Sequence, residues 1–257
     1  MTNEEYIKAI ELRQSRRTYK QKPLSKEIMD IIKEMVRAVN RSGDFEMVFI
    51  EDATPAFTLF TGKFSMIAIT GPDSQKARED SGYYGESIVL QCVYHGLGTC
   101  WVSGTYNENK VLQMLNLPRD KRIYALITIG YVKESLSTKE KILYNATHKK
   151  NKPYQKMFDV CDKKLPDEYI YGMQLIEKAP SATNRRPVKF RYENGRLSGS
   201  VDEPYSDKSI DFGIAKLHFL LGVRAKGING RWTFDNTFET TAAQKIKFEI
   251  KEESSDE

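Results

Sequence analysis

The sequence predicts an α+β fold, internally duplicated, with antiparallel-type sheets flanked by helices. Three observations predict it. Runs with helical spacing alternate with short runs of strand character along the chain. A long helical run that ends in glycines ahead of a tryptophan occurs twice, before Trp101 and before Trp232. A chain of 257 residues with 40% hydrophobic and 11% aromatic residues can bury a sizeable core, as one large domain or two moderate ones.

Residues 3–14 have helical spacing, with Tyr6, Ile7, Ile10 and Leu12 on the apolar side. Arg16, Arg17, Thr18 and Lys20 follow, with Lys22 close behind. Arginine forks an anion with two N–H donors, lysine adds a point charge and threonine a hydroxyl. The stretch can therefore cradle an anion, although a solvated basic turn has the same composition. Ser25 is a good N-cap for a helix over 26–39, with Ile28, Ile31, Ile32, Met35 and Val36 facing inward. Residues 40–44 form a turn. Residues 45–50 alternate like a half-buried strand, and Ser65 to Thr70 is a buried-type strand closed by Gly71 and Pro72. The run from 75 to 95 is apolar around most of its circumference and predicts a central core helix ending at Gly96 or Gly98. Its Gly-x-Gly follows a helix instead of opening one, which argues against a Rossmann fingerprint. Val102, Ser103 and Gly104 form a turn before a helix near Asn107, and 122–132 carries the strongest strand pattern. Residues 133–152 are polar and lysine-rich. They read as a linker, or as a segment bringing Lys150 and Lys152 to the same anion as Arg16.

The order of elements then repeats. A helix over 167–178, capped by Asp167 after Pro166, corresponds to 26–39, and a strand over 188–193 corresponds to 45–51. Asn194 and Gly195 form a hairpin turn into a partner strand, 196–201. A helix over 207–224 places Ile210, Ile214, Leu217 and Leu221 on one face, and 232–250 reads as extended arms. On this basis the chain divides into halves of 1–160 and 161–250 and an acidic tail, 251–257. In the second half, Pro180 and Pro187 bracket Ser181, Thr183 and Asn184. Two prolines pre-order such a loop so that its polar groups can face a ligand. A plain helix-to-strand connector is the alternative.

A net charge of +5, with acidic and basic residues interleaved, is too weak and too evenly spread to indicate nucleic acid. Cys92, Cys100 and Cys161 form no CxxC pair, so neither a disulfide framework nor a zinc site is expected; Cys92 reads as a small core residue. The start of the chain has no apolar signal region and no run reaches the roughly 20 apolar residues of a membrane span. A reducing cytoplasm fits best. His95, His148 and His218 are scattered, and no HExxH, GxSxG or Walker pattern occurs.

Four segments together resemble the FMN-dependent nitroreductase family. Arg16 to Lys20 with Lys22 to Ser25 is similar to its phosphate motif, and Ala179 to Pro187 to its Ala-Pro-Ser loop. Gly96 to Gly104 is similar to the segment whose backbone lies along the flavin ring, and Gly130 and Tyr131 with residues 150–153 to its closing strand and basic proline segment. The resemblance implies FMN as cofactor, NAD(P)H as hydride donor, and a nitroaromatic, quinone or related small molecule as acceptor. It implies that Arg16, Arg17 and Thr18, joined by Lys150 or Lys152, hold the phosphate. Lys20 would reach the pyrimidine edge; Trp101, Val102, Ser103 and Gly104 would lie along the ring; and Pro180, Ser181 and Asn184 would fix it from the other half. No protein nucleophile or metal is required. The family forms its sites between two protomers. Here the phosphate motif stands only in the first half and the Ala-Pro-Ser loop only in the second, so the chain is expected to act as a monomeric pseudo-dimer with one complete site. Further oligomerisation is left open. Arg186 stands where the family's loop has glutamine. A flavin-binding or scaffold protein of the same fold, without turnover, is the alternative.

Overall fold

Short polar side chains start most of the helices in the computed structural model, which describes residues 1–117, 122–148, 153–161 and 164–241. Thr2 and Glu5 form a capping box on α1 (Asn3–Leu12). Ser25 caps α2 (Lys26–Val39), as the sequence predicts. Ser74 caps α3 (Gln75–Tyr94), Asn107 caps α4 (Glu108–Met114) and Ser206 caps α7 (Asp207–Ala225). At α6 (Asp167–Ile176) the cap position belongs to Pro166 and no side chain caps the helix. Asp167 is instead the first helical residue, where its charge faces the positive end of the helix dipole.

The first sheet has the order β1-β2-β4-β3, all antiparallel, from β1 (Glu46–Ile50), β2 (Ser65–Thr70), β3 (Leu97–Val102) and β4 (Ile123–Tyr131). Strand β3 falls where the sequence reading has only a glycine stop and a turn. Its glycines explain the miss. Gly96 ends α3 at φ +78°, a conformation glycine adopts freely. Gly98 lies inside the strand, where a Cβ would meet Val132 and Arg16. Both faces of this sheet are covered. Ile67, Ile69, Ile127 and Ile129 face α3 and α7, while Met66, Ala68 and Leu126 face a second cluster built on Phe57, Phe60 and Phe64.

The second sheet has the order β5-β6-β7-β9-β8, from β5 (Phe158–Val160), β6 (Val188–Glu193), β7 (Arg196–Val201), β8 (Gly230–Trp232) and β9 (Thr237–Thr240). Only the β5–β6 pair is parallel. Asn194 and Gly195, both at positive φ, make the predicted hairpin turn between β6 and β7. Set aside β5, and the two sheets share one succession, β1-β2-β4-β3 and β6-β7-β9-β8. Residue positions follow suit: Ser65 and Arg196 open β2 and β7, Tyr94 and Ala225 close α3 and α7, Gly96 and Gly227 follow at positive φ, and Trp101 and Trp232 stand in the next strands, all at one constant separation.

Helix α7 is buried from Ser209 to Val223 and divides two cores. Ile210, Ile214, Leu217 and Leu221, the face read from the sequence, pack into the core of the first sheet with α1, α2 and α3. Phe212, Ala215, Phe219 and Val223 pack on the other side against α6 and the second sheet. Helices α3 and α7 meet at paired glycines. A Cβ on Gly82 would strike the carbonyl of Ile210, and one on Gly213 the carbonyl of Glu79. Each glycine thus faces the residue three before the other.

Three expectations fail at single residues or segments. Leu12 is 57% exposed and Ile31 49% exposed, because the inward faces of α1 and α2 are narrower than the apolar stripes suggest. Residues 133–152 do not form a simple linker, since α5 (Thr138–His148) lies within them. The extended arms are present as β8 and β9 up to Thr240; the rest of 232–250, the tail 251–257, Lys150 and Lys152 lie outside the described residues. Cys92 is a buried core residue, and burial pushes its thiol up to about 12. Among the described residues no helix is long and apolar enough to cross a membrane, and no group of His, Cys, Asp or Glu side chains could hold a metal ion.

Candidate functional site

The basic loop at 15–20 is tied by backbone bonds to β3, to β4 and to Thr61. The N–H groups of Arg16, Tyr19 and Lys20 donate to the carbonyls of Thr99, Thr61 and Tyr131. The intervening N–H groups of Arg17 and Thr18 are left over, and both point to one place. Glu140 Oε1 accepts from Arg17 N at 2.6 Å and from Thr18 N at 3.0 Å, and the Arg16 guanidinium approaches the same oxygen at 3.3 Å. Glu140 Oε2 accepts from Ser137 N at 2.8 Å. Burial alone would push this carboxyl up, but the backbone donors of Arg17, Ser137 and Thr18 outweigh it and hold the acid below its ordinary range. The loop is therefore an anion cradle, and the anion in it is a side chain of α5.

Beside the cradle lies a cavity of about 470 Å³. It brings together eight of the residues singled out in the sequence: Arg17, Thr18, Trp101, Val102, Ser103 and Gly104 on one side, Pro180 and Ser181 on the other. Phe60, Ile210 and Ile214 add apolar wall, and Arg17 and Lys139 line it with no ion-pair partner among the described residues. A second cavity of about 520 Å³ shares Arg17, Pro180, Ser181 and Glu140 with the first and is also lined by Asn184 and Arg186.

Three of the expected residues among those described are not brought to the first cavity. The Arg16 guanidinium is buried and turned away, donating to the carbonyls of Lys133 and Ser135 as well as to Glu140. Lys20 is exposed and lines neither cavity; its backbone is tied to Tyr131 and Lys63. Asn184 reaches only the second cavity.

The proline-framed loop is held in a costly conformation. Thr183, Asn184 and Arg186 have φ of 52°, 56° and 46°, in the left-handed region that non-glycine residues avoid. Three bonds lock it there. Ser181 Oγ accepts from Arg186 N at 3.0 Å, Ser181 O accepts from Asn184 N, and Arg186 donates to the carbonyl of Glu177. Ala182 N and Arg185 Nε bind Asp211 of α7 at 3.1 Å each. Asp211 lines the cavity. Burial pushes its carboxyl up to about 7 against the opposing pull of Arg185. On the facing wall, Trp101 packs its ring where a Cβ of Gly85 would lie and donates from Nε1 to Glu86 at 2.8 Å; Glu86 in turn meets buried His218 at 3.0 Å.

Sequence reasoning missed Glu140, Phe60 and Asp211. One signal was available for the first: Ser137 and Glu140 have capping-box spacing, and the reciprocal bonds are present.

The fold has counterparts in known proteins. A "putative nitroreductase" of known crystal structure from Thermotoga maritima superposes with a TM-score of 0.60 over 93% of this chain and 94% of its own, at 21% identity. An FMN-dependent nitroreductase from Clostridium difficile R20291 matches over 55% of this chain and 97% of its own, at 20% identity and a TM-score of 0.41. No curated protein matches. The model of the family described as "Putative TM nitroreductase" matches residues 5–223, and the chain belongs to that nitroreductase family, with its nitroreductase-like α+β fold.

Proposed function

We propose that the cavity binds FMN and that the protein is an oxidoreductase passing reducing equivalents from NADH or NADPH to a nitroaromatic, a quinone or a related small acceptor. The observation that carries this reading is the meeting of three chain-distant segments around one cavity: Arg17 and Thr18, Trp101 to Gly104, and Pro180 with Ser181. The residues fit the cofactor on two counts. The backbone donors of Arg17 and Thr18 already hold a carboxylate, so their chemistry suits a phosphate. The cavity volume lies in the range of cofactor sites, and its Phe60, Trp101, Ile210 and Ile214 walls suit a flat ring.

When bound, FMN would supply the hydride chemistry. The chain's own residues would bind, orient and shield. Arg17 and Thr18 would hold the phosphate, and Lys139 adds positive charge at the same wall. Trp101 is fixed through Glu86 and gives the ring a rigid neighbour. The locked 181–186 loop excludes water from the opposite side. Asp211, with its carboxyl pushed up to about 7, can hold a proton near neutral pH and release it to an acceptor in the cavity.

The same reading treats 1–160 and 161–250 as equivalent halves. The common strand succession, the constant separation of paired positions and the reciprocal Gly82 and Gly213 contacts support it. β5 is the exception, since it precedes 161 and yet joins the second sheet.

A second reading, flavin binding without turnover, is favoured by the position of Lys20, which leaves the cavity without the cation expected at the ring. One experiment separates the two. The purified protein should be yellow, or turn yellow with FMN, and NAD(P)H should bleach it under anaerobic conditions. Bound FMN that NAD(P)H leaves coloured would select the second reading, and a protein that ignores FMN would end both.

A further inference from the structure

Helix α5 is unusual in what it buries. Of its residues 138–146, only Glu140 is buried, at 3% exposure. Its large apolar residues are turned outward: Ile142 is 66% exposed, Leu143 38% and Tyr144 47%. An amphipathic helix normally docks through its apolar face. This one docks through a carboxylate set on the anion cradle, with Thr18 Oγ1 and Ser137 Oγ 3.0 Å apart beside it. Glu140 lines both cavities, Lys139 and Leu143 line the first, and Tyr144 lines the second.

The geometry points to Glu140 as an internal competitor for the phosphate of the cofactor, so that this one side chain sets how strongly the site prefers a phosphorylated flavin to an unphosphorylated one. The inference rests on the FMN reading of the cavity. Three donors converge on a single Glu140 oxygen, at 2.6, 3.0 and 3.3 Å, and a phosphate oxygen seated on Arg17 N and Thr18 N would need the same space. Two anions cannot share two N–H groups in a partly buried site. Binding of a phosphorylated ligand therefore requires Glu140 to withdraw, and the apparent affinity falls by the fraction of molecules whose cradle is open. A flavin without phosphate meets no such competition. Withdrawal uncovers no buried apolar side chain of 138–146, because Glu140 is the one buried residue of that stretch.

The test compares FMN and riboflavin on the wild-type protein, Glu140→Ala and Glu140→Gln, by fluorescence titration. Glu140→Ala should tighten FMN by about tenfold or more and leave riboflavin within about threefold, since only the phosphate gains the vacated charge-assisted bonds. Glu140→Gln keeps the side-chain volume, loses the charge and should fall between; it also serves if Glu140→Ala does not fold. FMN, but not riboflavin, should speed tryptic cleavage at Lys139 and Lys141 of the wild-type protein. Equal tightening of both flavins, or no change in either, would overturn the inference while leaving FMN binding in place. Inorganic phosphate decides the remaining case, in which neither flavin binds any variant. Thermal stabilisation of Glu140→Ala but not of the wild type would then keep Glu140 as a competitor for phosphate and discard the FMN reading. No difference between them would discard both.

Discussion

Replacing Gly82 or Gly213 with alanine tests whether α3 and α7 are locked together by backbone contact. A Cβ on Gly82 would lie 2.1 Å from the Ile210 carbonyl oxygen, and one on Gly213 would lie 1.8 Å from the Glu79 carbonyl oxygen. Neither neighbour is a side chain that can rotate away, so the helices must part by more than an ångström. A gap of that size forfeits a large share of the dispersion between facing side chains. Alanine gains about 1 kcal/mol in helix propensity over glycine. Overpacking of this kind costs up to about 3 kcal/mol and occasionally more. We expect each variant to lose about 2 kcal/mol net, with a melting temperature lower by roughly 4–8 °C. The double variant carries the stronger argument. One parting of the helices relieves both clashes, so its loss should fall short of the sum of the singles by about 1 kcal/mol. Denaturant unfolding followed by circular dichroism measures all three, with Gly104→Ala, where a new Cβ meets nothing within 4 Å, as a neutral control. Stabilisation by the single changes, or strict additivity in the double, would refute the reasoning.

Two further outcomes follow from buried charge. Asp211 has a folded carboxyl raised from 3.8 to about 7. The folded state binds its proton more tightly than the unfolded chain does, so its contribution to stability is full below pH 4 and is lost as the pH rises to 7. Asp211→Asn should remove that fall from the stability profile measured by denaturant unfolding at a series of pH values; an unchanged slope would locate it elsewhere. Lys216 is paired with Glu79 between α7 and α3, also donates to Asn236, and has its amine pushed below the ordinary lysine range, chiefly by burial. Lys216→Met leaves the Glu79 carboxylate buried without its cation and should cost about 3–5 kcal/mol, while the double change with Glu79→Gln should recover most of the loss. A single variant as stable as the wild type would refute this account of the pair.

Much of the fold could be read because the signals were local. Ser25 announces α2, Asn194 and Gly195 announce a hairpin, and the spacing of Ile210, Ile214, Leu217 and Leu221 gives one face of α7. The opposite face, with Phe212 and Phe219, could not be separated from it by period, because a helix buried between two cores is apolar all round. Strand β3 was lost to its own glycines, which read as a helix stop and yet permit close packing against Val132 and Arg16. Helix α5 was lost to its lysines, although Ser137 and Glu140 mark its start.

At the site, the sequence reached the segments but not the direction of each side chain. Arg16 and Arg17 are adjacent and chemically alike, yet the pairing of 15–20 with Thr99, Thr61 and Tyr131 sends Arg16 into a buried set of carbonyls and Arg17 into the cavity. The backbone pairing of this loop decides it, and the pairing becomes visible only once the partner segments are known. Glu140 is harder still. Its partners lie more than a hundred residues earlier, and a glutamate in a lysine-rich segment reads as surface charge. What makes it a ligand of the cradle is that Arg17 and Thr18 have no other acceptor for their N–H groups. A backbone donor near a buried cavity must be satisfied, and a carboxylate within reach takes the place that an incoming anion would otherwise fill. The sequence therefore marks a basic loop, and the structure adds that the chain fills it with a carboxylate of its own.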